Sequence, residues 1–178
     1  AEKNIDLSGN NTVNSTGILL DTSSSNTIIN VTANYRQYGV RINGNSDFNN
    51  ITNNTLTNAT TYGIWLVEQG TNTNPDNTRL ENNNVSFAAS YGVYAEDPFN
   101  LTILGGEYTG TANGIAVTRP EGWATSLGGI IIKNVDLSGT HQYANTGVGL
   151  YLHASYSNVT NVTARYRQYG LQLYGGGS

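Results

Sequence analysis

A five-residue unit returns along the whole chain: a small or aromatic residue, a glycine, then apolar, any, apolar. It stands as Thr16-Gly17-Ile18-Leu19-Leu20, Tyr38-Gly39-Val40-Arg41-Ile42, Tyr62-Gly63-Ile64-Trp65-Leu66 and Tyr91-Gly92-Val93-Tyr94-Ala95. It continues as Asn113-Gly114-Ile115-Ala116-Val117, Thr146-Gly147-Val148-Gly149-Leu150 and Tyr169-Gly170-Leu171-Gln172-Leu173. The glycines lie roughly 22 to 33 residues apart. A unit this short cannot bury its own apolar pair, so the copies must stack and share one core. Second strand-like patterns lie between the units, as in Ile28-Ile29-Asn30-Val31, Leu101-Thr102-Ile103-Leu104 and Ile130-Ile131-Ile132. The period is two, and no segment keeps an apolar period of 3.6. Asn, Gly and Ser corners separate the strands. The expectation is an all-β stack of about seven turns. One domain spans residues 1–174, and residues 175–178 form a linker or a cut end.

Composition narrows the partners. Only 11% of residues are charged and the net charge is −4, which argues against nucleic acid. There are no cysteines, which removes disulfides, thiolate metal sites and cysteine nucleophiles together. No run is long and apolar enough to span a membrane. The chain begins at Ala1 rather than Met, as a processed mature protein or a fragment would.

Stacking places equivalent residues in columns. Ile18, Val40, Ile64, Val93, Ile115, Val148 and Leu171 are expected to point inward, as are Leu20, Ile42, Leu66, Ala95, Val117, Leu150 and Leu173. The residues between them, Leu19, Arg41, Trp65, Tyr94, Ala116, Gly149 and Gln172, are expected to face out. Asn4, Asn30, Asn84, Asn134 and Asn161 recur before inward residues and read as a buried corner ladder of amides. Tyr38, Tyr62 and Tyr91 share the position before glycine and should stack. This pattern resembles the right-handed parallel β-helix of the pectate-lyase-like superfold. Its units are similar to repeats of archaeal surface-layer proteins and of periplasmic NosD-type proteins. The resemblance implies a fold that hosts enzymes, adhesins and structural spans alike.

A longer repeat overlies the short one. Lys3-Asn4-Ile5-Asp6-Leu7-Ser8-Gly9 returns as Lys133-Asn134-Val135-Asp136-Leu137-Ser138-Gly139. Asn30-Val31-Thr32-Ala33-Asn34-Tyr35-Arg36-Gln37-Tyr38-Gly39 returns as Asn161-Val162-Thr163-Ala164-Arg165-Tyr166-Arg167-Gln168-Tyr169-Gly170. A five-turn block has been duplicated, with its first turns repeated from about residue 133. Neither end carries an evident cap, so the partner expected is the chain itself, in a tandem array or a head-to-tail polymer. Arg36 and Arg167, each flanked by tyrosines, suit cation–π ladders.

Sequons supply the candidate modification sites. Those in loop or outward positions begin at Asn10, Asn14, Asn50, Asn53, Asn58, Asn100 and Asn158, whereas Asn30, Asn84 and Asn161 fall on the expected buried ladder. The candidate ligand column lies five residues after glycine. There Glu68, Asp97 and Arg119 follow one another beside Trp65 and Tyr94, a set suited to an anionic sugar or a calcium ion, or merely to a solvated ion pair. Both histidines, His141 and His153, lie elsewhere. Trp123 anchors an insertion or touches a carbohydrate or a neighbouring subunit. No catalytic or metal-binding motif stands out, so the expected chain is not an enzyme and needs no cofactor beyond structural calcium. The expected role is an extracellular or cell-surface structural glycoprotein that builds a layer, sheath or filament. The alternative is a β-helix that binds cell-surface glycans or cleaves polysaccharide through the acidic–aromatic face.

Overall fold

A computed structural model describes residues 4–10, 14–70, 73–119, 128–140, 146–154 and 156–174. Fifteen strands form a right-handed parallel β-helix, and every strand pairing is parallel. The long sheet stacks seven of them: β2 (Thr16–Asp21), β5 (Tyr38–Asn43), β7 (Tyr62–Val67), β9 (Tyr91–Glu96), β11 (Asn113–Thr118), β13 (Thr146–Leu152) and β15 (Arg167–Leu173). A second sheet stacks β3 (Thr27–Ile29), β6 (Asn50–Thr52), β8 (Arg79–Glu81), β10 (Thr102–Leu104), β12 (Ile131–Asp136) and β14 (Asn158–Thr163). The third side is thin. It joins β1 (Ile5–Asp6) to β4 (Val31–Thr32) and continues as single bridges through Thr55, Asn84, Glu107 and Asp136.

Three corners close each turn, and each is a column of left-handed residues. Asn30, Asn53, Asn82, Gly105, Asn134 and Asn161 hold φ between 50° and 61° at the first corner. Ser25, Phe48, Asn77, Asn100, Gly129 and Tyr156 form the second, and Tyr35, Asn58, Phe87, Gly110 and Tyr166 mark the third. Asparagine tolerates this region better than other residues with a side chain, which explains its abundance.

Inside the stack the predicted core columns hold, with one correction, while in the outermost turns Ile18 is half-buried and Leu171 and Leu173 are exposed. In β13 the strand-start glycine is Gly149, not Gly147, because Leu150 pairs with Ile115 and Tyr151 with Ala116. Leu150 and Leu152 therefore point in, and Tyr151 takes the outward place expected of Gly149. Gly147 is instead a left-handed residue at φ 68°. Two further columns fill the interior: Ile51, Leu80, Ile103 and Ile132 from the second sheet, and Leu56, Val85, Tyr108 and Leu137 from the third side, all fully enclosed. Each such aliphatic side chain contributes roughly 1.5–3 kcal/mol.

The amide ladder runs elsewhere than expected. Of the expected members Asn161 Nδ2 does donate to Asn134 Oδ1 at 2.9 Å, but Asn4, Asn30, Asn84, Asn134 and Asn161 are not enclosed, and Asn84 belongs to the third side rather than to the first corner. The buried ladder is one residue past that corner, where Asn54 Nδ2 donates to Asn83 Oδ1 at 3.0 Å. A second rung joins Asn26 to Asn49, also at 3.0 Å. The arginine expectation also fails. Arg36 and Arg167 turn inward and donate through Nε to the carbonyls of Leu7 (2.8 Å) and Leu137 (2.7 Å), clamping one turn to the next. Duplication conserves the clamp, since Leu7 and Leu137 are equivalent residues of the two copies.

Candidate functional site

In the long strands the residue before glycine and the residue three places on are both part-exposed, and at the centre of the sheet both columns are aromatic. Tyr38, Tyr62 and Tyr91 form the expected aromatic column, with ring centroids 5.9 Å apart at both steps, but their rings are tilted by 37° and 59° rather than stacked face to face. The neighbouring column, in register through Arg41, Trp65, Tyr94, Ala116 and Tyr151, adds a second row. Trp65 lies 4.9 Å from the Tyr38 ring and 5.4 Å from that of Tyr62. Tyr94 stacks on Tyr62 at 5.0 Å with an interplanar angle of 18°. Such contacts hold each ring with about 0.5–1.5 kcal/mol beyond its burial, so the rows form a fixed platform.

Arg41 closes one end of the platform. Its guanidinium lies 4.5 Å above Trp65 and 5.7 Å from the Tyr38 centroid. Its buried Nε makes no hydrogen bond among the described residues. Glu96 stands at the other side of Trp65 and accepts from its Nε1 at 3.4 Å. Burial pushes the Glu96 carboxyl above the usual carboxylate range, against the indole N–H, the Glu68 backbone N–H and Arg41, which pull it down. Burial likewise raises the Tyr62 and Tyr91 hydroxyls. A cation with an unpartnered donor, a half-buried carboxyl and aromatic rings can grip an anionic sugar ring and exchange a proton with it.

Of the residues singled out from sequence, Trp65 and Tyr94 lie on this platform. Glu68 and Asp97 follow β7 and β9 at the edge of the second corner, and Asp97 is buried, with φ 46°. Asn74 Nδ2 reaches Asp97 Oδ2 at 3.5 Å. Arg119 follows β11 and is half-buried. Sequence reasoning missed Glu96, Tyr151 and the cation–π role of Arg41. Glu96 was legible as the outward residue two places past Tyr94; Tyr151 was hidden by the misplaced glycine. Trp123 and His141 lie outside the described residues. Of the sequons, Asn10, Asn14, Asn53, Asn100 and Asn158 are exposed, and Asn50 and Asn58 are half-buried. Asn14, Asn53, Asn58 and Asn100 are left-handed residues, so backbone geometry alone accounts for asparagine there.

An aspartate relay borders the same corner. Asp76 N donates to Asp47 Oδ1 at 3.0 Å, and Asp76 Oδ1 accepts from Phe99 N at 2.9 Å. Desolvation, followed by the charges of Asp47 and Asp97, raises the Asp76 carboxyl despite the Phe99 hydrogen bond. A raised folded pKa means that ionisation costs stability, and the cost disappears as pH falls below the unfolded value near 3.9. Asp76→Asn keeps the acceptor for Phe99. It should raise the melting temperature at pH 7 by roughly 1–3 °C, with the gain vanishing towards pH 4. An equal gain at both pH values in thermal melts would refute the charge origin.

Metal donors are sparse. The chain has no Cys or Met and two His, and no group of three His, Cys, Asp or Glu side chains converges among the described residues.

Solved structures share the fold. The periplasmic alginate epimerase AlgG matches with a TM-score of 0.74 and 16% identity, over 90% of this chain and 39% of that chain. The Azotobacter vinelandii mannuronan C-5 epimerase AlgE4 A-module matches with a TM-score of 0.66 and 16% identity, over 90% of this chain and 52% of that one. The chain thus spans about two-fifths to one-half of these solved chains. No curated protein matches it. The expectation that the chain is not an enzyme does not stand: the solved chains whose fold it shares are enzymes, so nothing in this fold argues for a non-catalytic role. A family model described as periplasmic copper-binding protein (NosD) matches residues 1–178, so the chain belongs to the NosD family of parallel β-helix proteins.

Proposed function

We propose that the outer face of the long sheet binds an anionic polysaccharide, with Arg41 on a sugar carboxylate and the Tyr/Trp rows beneath successive sugar rings. The observation that carries this reading is Arg41 itself. Its guanidinium is fixed over Trp65 at 4.5 Å, while its buried Nε lacks a protein acceptor. A carboxylate would supply that acceptor through a bidentate, charge-assisted pair. The alginate epimerases that share the fold support a uronate as the anionic unit. Copper, which the family's description names, finds no fitting donor set among the described residues: the chain has no thiolate or thioether ligand, and no three described His, Asp or Glu side chains converge.

Calorimetric titration with oligomannuronate tests the proposal. Arg41→Ala should weaken binding at least ~10-fold, the loss of one charge-assisted contact of about 1.5–3 kcal/mol. Trp65→Ala should weaken it comparably, and affinity should fall with added salt. Arg41→Ala should melt within roughly 1 kcal/mol of the parent, whereas Trp65→Ala also loses its ring contacts with Tyr38 and Tyr62 and should cost about 1–3 kcal/mol with the fold retained. Unchanged affinity in both, with the fold intact, would refute the platform.

A second reading concerns assembly: coils of this kind stack end to end into a surface layer or filament outside the cytoplasm. It is favoured by the repeated decapeptide, in which Arg36 and Arg167 make the same clamp onto the preceding turn, so that one copy of the coil can continue from another. Sedimentation should show association that grows with concentration and is abolished by Leu173→Lys. A monomer at all concentrations would refute it.

A further inference from the structure

A polar hollow lies away from the platform, at the vertex between the second sheet and the thin third side. It is a dent of about 520 Å³ that spans four turns. Its cause is local. At the first corner the turns carry Asn82, Asn134 and Asn161, followed by Asn83, Val135 and Val162; the turn between has Gly105-Gly106. Two side chains are missing from one turn only, and the columns break there.

The rim is unlike the platform. It carries no aromatic ring and no cation. Asn82, Asn84 and Asn134 present amides to it, and the carboxylates of Glu107 and Asp136 stand on consecutive, paired turns. Paired strands lie about 4.8 Å apart, so like charges here repel each other and would repel any anionic ligand. Amides that donate and accept, beside carboxylates that only accept, match a ligand rich in O–H donors and without negative charge. We propose that this dent is a binding subsite for a neutral, hydroxyl-rich sugar unit, separate from the anionic-polysaccharide platform. Sugar hydroxyls donate to Glu107 and Asp136, and the amides accept from and donate to the remaining ring and hydroxyl groups. Asp136 Oδ1 already accepts from Ser138 N at 2.9 Å, Asn84 Oδ1 from Ser86 Oγ at 2.6 Å and Asn134 Oδ1 from Asn161 Nδ2 at 2.9 Å, so each of these oxygens offers its second lone pair.

Gly105→Asn tests the site by refilling the column. Gly105 sits at φ 61°, the conformation that asparagine holds at the same corner in five other turns, so the backbone accepts the change. The new Cβ meets only the Asn82 side-chain amide at close range, and that amide can swing aside. Neutral hexasaccharides of glucose, mannose and galactose are titrated into the protein and followed through its backbone amide NMR signals. At least one should bind with a Kd below about 1 mM and shift Asn84, Glu107 and Thr163. Gly105→Asn should abolish these shifts, and the rim variant Asn84→Ala/Glu107→Ala should weaken binding at least ~5-fold with unchanged melting. Arg41→Ala should leave this binding intact while weakening oligomannuronate, so either site can fail alone. Absence of binding by all three hexasaccharides would overturn the proposal. So would binding indifferent to both dent variants, or lost in Arg41→Ala.

Discussion

Gly63→Ala is expected to destabilise the protein by about 3 kcal/mol, the upper range for overpacking a filled interior. The reason is space rather than backbone conformation, since Gly63 has no left-handed φ. A Cβ at Gly63 would overlap Val85 Cγ1 and stand 2.8 Å from the Gly92 carbonyl oxygen. The same close approach climbs the stack: a Cβ at Gly39 would lie 2.7 Å from the Gly63 oxygen, and one at Gly92 would lie 2.9 Å from that of Gly114. At Gly17, Gly39, Gly63, Gly92, Gly114 and Gly149 the next turn lies so close that only a hydrogen fits, whereas at Gly170 in the last described turn an added Cβ would meet nothing closer than 3.8 Å. Gly44 is the contrast. It is left-handed at φ 55°, yet nothing lies within 3.6 Å of its added Cβ, so Gly44→Asn should be nearly neutral. Denaturant melts of both variants decide the matter; a Gly63→Ala loss below about 1 kcal/mol would refute the close-approach account. A Val85→Ala partner should relieve part of the clash, so the double variant should lose less than the sum of the singles.

That glycine column is also why the fold was legible. A glycine that leaves no room for a side chain in six of the seven strands, followed by two inward apolar places, repeats with little freedom, so the long sheet could be read strand by strand. The error at Gly147 arose where two glycines, Gly147 and Gly149, sit two apart and both satisfy the local pattern. Only pairing with Ile115 and Ala116 decides between them. The short strands were less legible. Asn50–Thr52 offers a single inward residue, Ile51, which is too little for a period. The amide ladder was misplaced by one residue for a related reason. The left-handed corner and the buried rung are adjacent, and both are asparagine at residues 53–54 and 82–83. The platform was half legible. Outward Trp65 and Tyr94 follow from alternation, but the fold of Arg41 back over Trp65, and the reach of the indole to Glu96 on the next turn, depend on side-chain packing between turns.

Arg167→Leu should cost about 3–5 kcal/mol, more than the matching change at Arg36, although the two arginines occupy the same place in a duplicated decapeptide. Both follow a left-handed tyrosine, Tyr35 at φ 55° or Tyr166 at φ 56°, which turns the next side chain towards the coil. Arg36 reaches one turn down, to Leu7 O at 2.8 Å and Ser8 O at 3.3 Å. Arg167 reaches two turns. Nε donates to Leu137 O at 2.7 Å, NH1 to Thr111 O at 2.7 Å and to Ala112 O at 2.9 Å, and NH2 to Thr111 Oγ1 at 3.2 Å. Burial pulls its pKa down to about 10, with Asp136 pushing back, so the guanidinium stays charged at neutral pH and its hydrogen bonds are charge-assisted. Removing it strands carbonyls of two different turns under the third corner, where water does not replace the donor without opening the stack. Arg36→Leu strands carbonyls at a more exposed place and should cost only about 1–2 kcal/mol. Denaturant unfolding of the two variants measures the difference, and hydrogen exchange should show the Arg167→Leu loss concentrated in β13 to β15. Equal costs would mean that the two-turn reach adds nothing, and that the coil is held by nearest-neighbour contacts alone.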